Sequence, residues 1–181
     1  ADIDAEGLAA LDAGIDAQQC DIADDAQLAS LVSGAVERHG GLDISVYLAA
    51  TYLDGGADTA RANWLTALDI NLVSGARLVA EARPHLAASG HGAVINFTSI
   101  SSSIAQTGRW VYPVSKAAIA QLTKLQALDY APDGIRVNSV SPGWTWSNRQ
   151  PPRTKPSSQP ATVWPRPSTT NSAPSCTPRA T

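Results

Sequence analysis

Gly92-Ala-Val-Ile-Asn-Phe97 decides how this chain of 181 residues is read. It is a compact apolar run of strand length. After Thr98-Ser99 comes the segment 111–130, with apolar residues at 111, 114, 118, 119, 122 and 125. That spacing follows the 3.6-residue period of a helix. Gly134-Ile-Arg-Val-Asn-Ser-Val140 then reads as a second strand, and Ser141-Pro142-Gly143 as the turn leaving it. The same alternation extends upstream. Leu42 to Ala50 is another apolar run of strand length, followed by a long helical stretch from about Ala57 to Ala87 carrying Leu65, Leu68, Ile70, Leu72, Leu78 and Val79. Gly14 to Ile22 reads as a short strand ending at Asp21. The helix after it carries Leu28, Leu31, Val32 and Val36, with Asp24 or Asp25 as its cap and Gly40-Gly41 as its stop. Strands alternating with helices predict an α/β fold whose parallel sheet is covered on both faces. Ligands of such sheets bind at the carboxyl ends of the strands. Asp21, Ala49-Ala50, Ser99 and Pro142-Gly143 all fall at predicted strand ends.

The chemistry is concentrated in Tyr112-Pro-Val-Ser-Lys116. Residues four apart share a helix face, so Lys116 can stand beside Tyr112. An ordinary phenol, with a pKa of about 10, is a poor base near neutrality. A neighbouring ammonium favours the ionised form and lowers that value. A phenol tuned in this way can exchange protons with an alcohol or a carbonyl. Ser99, upstream, offers a hydroxyl to the same site.

Composition narrows the alternatives. The hydrophobic fraction of 44% is enough for a sizeable core, and no run approaches a membrane span. The acidic start, Ala1-Asp2-Ile3-Asp4-Ala5-Glu6, lacks the layout of a signal peptide, and a soluble, cytoplasmic protein is expected. Two cysteines, Cys20 and Cys176, give neither a disulfide framework nor metal-ligand spacing. Cys20 reads as a small core residue, and His39, His85 and His91 as surface or loop residues. All 16 acidic residues precede position 134, whereas Arg149, Arg153, Lys155, Arg166 and Arg179 follow Trp146 with no acid among them. The net charge of −3 thus hides an acidic body and a basic tail. The tail's charges form no helical stripe or aromatic ladder, which argues against nucleic-acid binding. All but Pro84, Pro113, Pro132 and Pro142 of the 12 prolines lie in the tail. Residues 148–181, rich in Pro, Ser and Thr, are expected to be coil or disordered.

Residues 1–147 resemble the short-chain dehydrogenase/reductase family, with several motifs in the family's order. Ala1-Asp2-Ile3-Asp4 looks like the end of the family's second strand, and Cys20-Asp21-Ile22 like the adenine-contacting end of the third. Asn71 in Asp-Ile-Asn-Leu matches a helix asparagine that helps hold a water in the proton relay. Ser99, Tyr112 and Lys116 match the catalytic serine, tyrosine and lysine. Ile135-Arg-Val-Asn-Ser-Val-Ser-Pro-Gly143 matches the segment closing over the nicotinamide, and Thr145 and Ser147 fall where members contact the nicotinamide amide and the pyrophosphate. The resemblance implies a Rossmann-like, doubly wound single domain that binds NAD, with Asp2 selecting it over NADP. It also implies hydride transfer between NAD(H) and a secondary alcohol or ketone. Ser99 would donate to the substrate oxygen, Tyr112 would carry the proton, and Lys116 would lower the Tyr112 pKa and hold the nicotinamide ribose. Trp110 and Trp144 flank the site in sequence, as pocket lining for an apolar or cyclic substrate or as core.

The sequence departs from the family at three points. No Gly-x-x-x-Gly-x-Gly is present, so the first strand and its pyrophosphate-cradling turn are expected to be missing. Tyr47-Leu48-Ala49-Ala50 stands where the family has Asn-Asn-Ala-Gly. The final helix and strand are replaced by the proline-rich tail. The alternative to an oxidoreductase is therefore a catalytically silent fragment acting through helix-mediated association. Homo-oligomerisation as a dimer or tetramer is implied through the helices at 57–87 and 111–130, where Gly75, Ala76, Ala80 and Ala118 would permit close packing.

Overall fold

The computed structural model describes residues 1–144. The expected tail, and the candidate residues Thr145 and Ser147, lie outside the described residues. Eight elements follow in order: α1 (Ala5–Ala9), α2 (Asp25–His39), β1 (Ile44–Tyr47), α3 (Arg61–Leu68), α4 (Ser74–Ser89), β2 (Ala93–Phe97), α5 (Val111–Tyr130) and β3 (Arg136–Val140). The three strands form one parallel sheet in the order β1-β2-β3. Ile44 lies opposite Ala93, and Ala93 opposite Arg136. Each crossover between parallel strands runs through helix, as parallel pairing requires.

Alternation along the strands decides what packs where. In β1, Ser45 and Tyr47 point inward while Ile44 and Val46 are exposed. Val94 and Val137 occupy the same face as Ser45 and meet Val32 of α2, Val79, Ala82 and Leu86 of α4, and Ile135. Fully burying a side chain such as Leu86 is worth about 1.5–3 kcal/mol. Helices α2, α4 and α5 thus cover one face. On the other face Ile44, Val46 and Val140 are exposed. Among the described residues the expected cover of both faces is therefore present on one.

Local signals explain several boundaries. Asp24, rather than Asp25, caps α2 by accepting from the Ala26 and Gln27 N–H groups at 2.9 and 3.2 Å. Gly40 ends the helix at φ 79°, a left-handed conformation that glycine adopts without steric cost. Cys20 is buried as expected.

One expectation is corrected. Gly14 to Ile22 is not a strand. Among the described residues it makes one isolated parallel bridge, Gln19 with Asp2, which is too little pairing for a strand. The helical stretch expected over 57–87 runs over 61–89. A 3-10 turn at Gly56–Asp58 precedes α3, and a π-helical turn at Asp69–Val73 separates α3 from α4. Burial of Asn71 in that turn accompanies the interruption, and polar anchoring overrides simple periodicity there.

Candidate active site

The carboxyl ends of β2 and β3 are tied together first. The Thr98 backbone N–H and hydroxyl both donate to the Val140 carbonyl, at 2.9 and 3.1 Å. The Ile100 N–H donates to the Pro142 carbonyl at 3.1 Å. Between these anchors Ser99 is held extended, and its Oγ accepts from the Ser101 N–H at 3.2 Å. Pro142 is therefore built into the strand-end scaffold beside Ser99, while Gly143 is exposed just beyond it.

Helix α5 starts against the same region. The first helical N–H groups have no intrahelical acceptor and need partners. Asp54 Oδ1 accepts from the N–H groups of Trp110, Val111 and Tyr112, at 2.9, 2.7 and 3.3 Å. Pro113 has no N–H to satisfy, and Val114 bonds to the Trp110 carbonyl at 3.2 Å. A carboxylate here also complements the positive end of the helix dipole. Asp54 thereby fixes the first turn, which carries Tyr112, and Lys116 follows one turn later.

Tyr112 and Lys116 are 8% and 3% exposed, and Ser99 is 8% exposed. Lys116 Nζ donates to the Phe97 carbonyl at 2.8 Å and lies 5.6 Å from the centre of the Tyr112 ring. Burial pushes the Lys116 amine down to about 8. Burial, and then the Tyr52 phenol, push Tyr112 up to about 12, while the Ser99 hydroxyl and the Arg109 charge act in the opposite direction. The expectation that Lys116 lowers the Tyr112 pKa is thus corrected for the protein alone. The amine is engaged with a strand-end carbonyl, and desolvation of the phenol outweighs the charges around it.

Asn71 is fully buried in the π turn. Its Oδ1 accepts from the Thr51 N–H at 2.7 Å, and its Nδ2 donates to the Thr51 carbonyl and the Ser115 hydroxyl at 3.1 and 3.0 Å. Ser115 in turn donates to the Tyr112 carbonyl at 2.8 Å. Both amide protons of Asn71 are thus committed within the protein. The side chain clamps the loop after β1 to the helix of Tyr112.

Tyr47 stands where the family has a polar asparagine. Its hydroxyl donates to the Ile70 carbonyl inside the π turn, so a phenol ties the end of β1 to that turn. Gly75 makes room for it. A Cβ there would meet the Tyr47 ring at 2.8 Å. The small residue at 75 therefore serves internal packing and is not available to a helix–helix contact. Ala80 is exposed, and Ala76 and Ala118 are half-buried.

The remaining candidates lie further out. The Cys20 N–H donates to the Asp2 carbonyl at 3.0 Å, which brings Asp2 beside Cys20-Asp21. Their carboxylates bond locally, Asp2 Oδ1 to the Asp4 N–H and Asp21 Oδ1 to the Ala23 N–H. Ile22 is half-buried and Ala49 exposed. Sequence reasoning missed Asp54, Tyr52 and Ser115. Asp54 precedes Gly55-Gly56 and looks like a turn residue, and nothing local marks a tertiary cap. Among the described residues no cluster of His, Cys, Asp and Glu could hold a metal, and no helix is long and apolar enough to cross a membrane.

Known proteins share the family and the fold of this chain. Residues 2–161 match the family model described as enoyl-(acyl carrier protein) reductase. The chain is 34% identical over 126 residues to cis-4-hydroxycyclohexanecarboxylate dehydrogenase of Sinomonas cyclohexanicum, covering 68% of this chain and 51% of that protein. It is 35% identical over 148 residues to 2-keto-3-deoxy-L-fuconate dehydrogenase of Xanthomonas campestris pv. campestris, covering 78% of this chain and 48% of that protein. The chain thus spans about half the length of these relatives. A short-chain dehydrogenase/reductase structure from Burkholderia xenovorans superposes with a TM-score of 0.67 at 31% identity, over 70% of this chain and 51% of that one. The structure of ElxO with NADP bound gives 0.66 at 27% identity, over 70% and 52%. The α/β architecture, the parallel sheet and these matches together show that the chain belongs to the short-chain dehydrogenase/reductase family.

Proposed function

We propose that the chain carries the proton-transfer part of a dehydrogenase/reductase site that works with NAD on a secondary alcohol or ketone. The observation that supports it most is the convergence of Ser99, Tyr112 and Lys116, all nearly buried, at the carboxyl end of β2. A bound nicotinamide cofactor supplies the hydride acceptor or donor. In reduction, Tyr112, protonated near neutrality, gives its proton to the carbonyl oxygen while the Ser99 hydroxyl donates a hydrogen bond to the same oxygen. In oxidation the alcohol proton travels the other way. Lys116 uses one hydrogen bond among the described residues, to Phe97, and an ammonium has three donors. Its remaining donors fit a ribose diol.

NAD rather than NADP is favoured by Asp2. An exposed carboxylate there accepts ribose hydroxyls and repels a 2′-phosphate. Asp21 and Ile22 would line the adenine end, and Ala49, Pro142 and Gly143 the approach to the nicotinamide. A fluorescence titration with NADH, followed by turnover assays of wild type and Tyr112→Phe, tests the reading. Saturable binding with turnover lost in Tyr112→Phe supports it. No binding at millimolar NADH overturns it and leaves the catalytically silent scaffold.

A further inference from the structure

Tyr52 is exposed, yet its position is defined. Its neighbour Thr51 is clamped by Asn71 through both backbone groups, and Asp54 is held by three N–H groups at the start of α5, from its cap residue Trp110 and from Val111 and Tyr112. Between these fixed points the Tyr52 ring stacks on Tyr112, with centres 4.4 Å apart and planes 28° apart. The two hydroxyls are 3.5 Å apart, at the outer limit for an O–H···O pair. The stack, rather than that contact, therefore places the ring. Aromatic pairs at this separation are attractive beyond the area they bury.

We propose that Tyr52 is a positioning residue for Tyr112: its ring caps the phenol, and its hydroxyl offers the phenol a partner until a substrate oxygen takes that place. The proposal rests on Tyr112 being the group that exchanges the proton. The groups facing Tyr112 are Lys116 from its own helix, Arg109 from the segment before it, Ser99 from the end of β2 and Tyr52 from the loop after β1. Of these, Ser99 and Arg109 favour the phenolate. Burial favours the neutral phenol most, and Tyr52 acts in the same direction.

The test needs neither cofactor nor turnover. Tyrosinate formation is followed by ¹³C NMR of ring-labelled tyrosine in wild type, Tyr52→Phe and Tyr52→Ala, with Tyr112→Phe identifying the Tyr112 signal. Tyr52 is 61% exposed, so its truncation leaves the core intact, and circular dichroism checks the fold. The Tyr112 midpoint is expected to fall by about one pH unit in Tyr52→Ala, and by less in Tyr52→Phe, which keeps the stack. The same midpoint in wild type and Tyr52→Ala overturns the proposal. An inactive chain with a shifted midpoint would sink the enzymatic reading and leave the Tyr52 contact standing.

Discussion

Asp54 Oδ1 lies 2.7 Å from the Val111 backbone nitrogen, so a loop after the first strand caps the helix that carries Tyr112 and Lys116. The two positions are distant in sequence, and the helix's own cap residue, Trp110, contributes no side-chain hydrogen bond. Replacing a capping carboxylate by alanine costs about 0.5–2 kcal/mol. Asp54→Ala should lower stability by that amount in urea unfolding, and Asp54→Asn, which keeps an acceptor, by less. Equal stability of wild type and Asp54→Ala would show that water caps the helix equally well.

Asn71 has a larger role to lose. Asn71→Leu leaves the Thr51 N–H and carbonyl without their partners in a half-buried loop. Each orphaned buried group costs about 1–3 kcal/mol. The variant should be destabilised by that order or more. Amide exchange should rise at Thr51 first, because that N–H loses its acceptor directly. Unchanged protection at Thr51 would mean that the clamp is replaceable.

Gly75 has a packing role inside the fold that can be tested. In Gly75→Ala the new methyl must displace the Tyr47 ring, and overpacking of this kind costs about 1–3 kcal/mol. Adding Tyr47→Leu should relieve the clash, so the double mutant should lose less stability than the two single variants summed. Additivity in this double-mutant cycle would refute direct contact between the two positions.

Much of the scaffold was legible because it is written in local patterns. Val94 and Val137 sit in apolar runs bounded by glycine, and the Asp24-Asp25 pair and Gly40 mark the ends of α2 by their types. Ser99, Tyr112 and Lys116 were found because helical spacing and strand-end position are also local properties. Asp54 and Tyr52 were not legible, since their partners lie more than fifty residues away. The π turn at Asp69–Val73 has a similar origin. Asn71 and Tyr47 stabilise it through long-range hydrogen bonds that no periodicity encodes. The Tyr112 shift was misjudged for the same reason. The sequence displays the nearby lysine, while burial, which dominates, belongs to the tertiary structure.

Lys116 gives the last prediction, a dependence of stability on pH. Its folded value is about 8 against an ordinary 10.5, so between these limits the unfolded chain holds more protons. Stability therefore rises with pH across that window, and below it the folded state bears the full cost of burying the ammonium. Tyr112 acts with opposite sign at higher pH. Its folded value of about 12 exceeds the ordinary 10, so its contribution is complete below 10 and is lost as pH rises through 12. Urea unfolding at about pH 7.5 and about pH 10 separates the lysine from the rest when wild type is compared with Lys116→Met. Wild type should gain stability relative to the variant at the higher pH, because the variant has no amine to titrate. Identical pH dependence in the two proteins would show that the buried amine keeps an ordinary affinity for its proton.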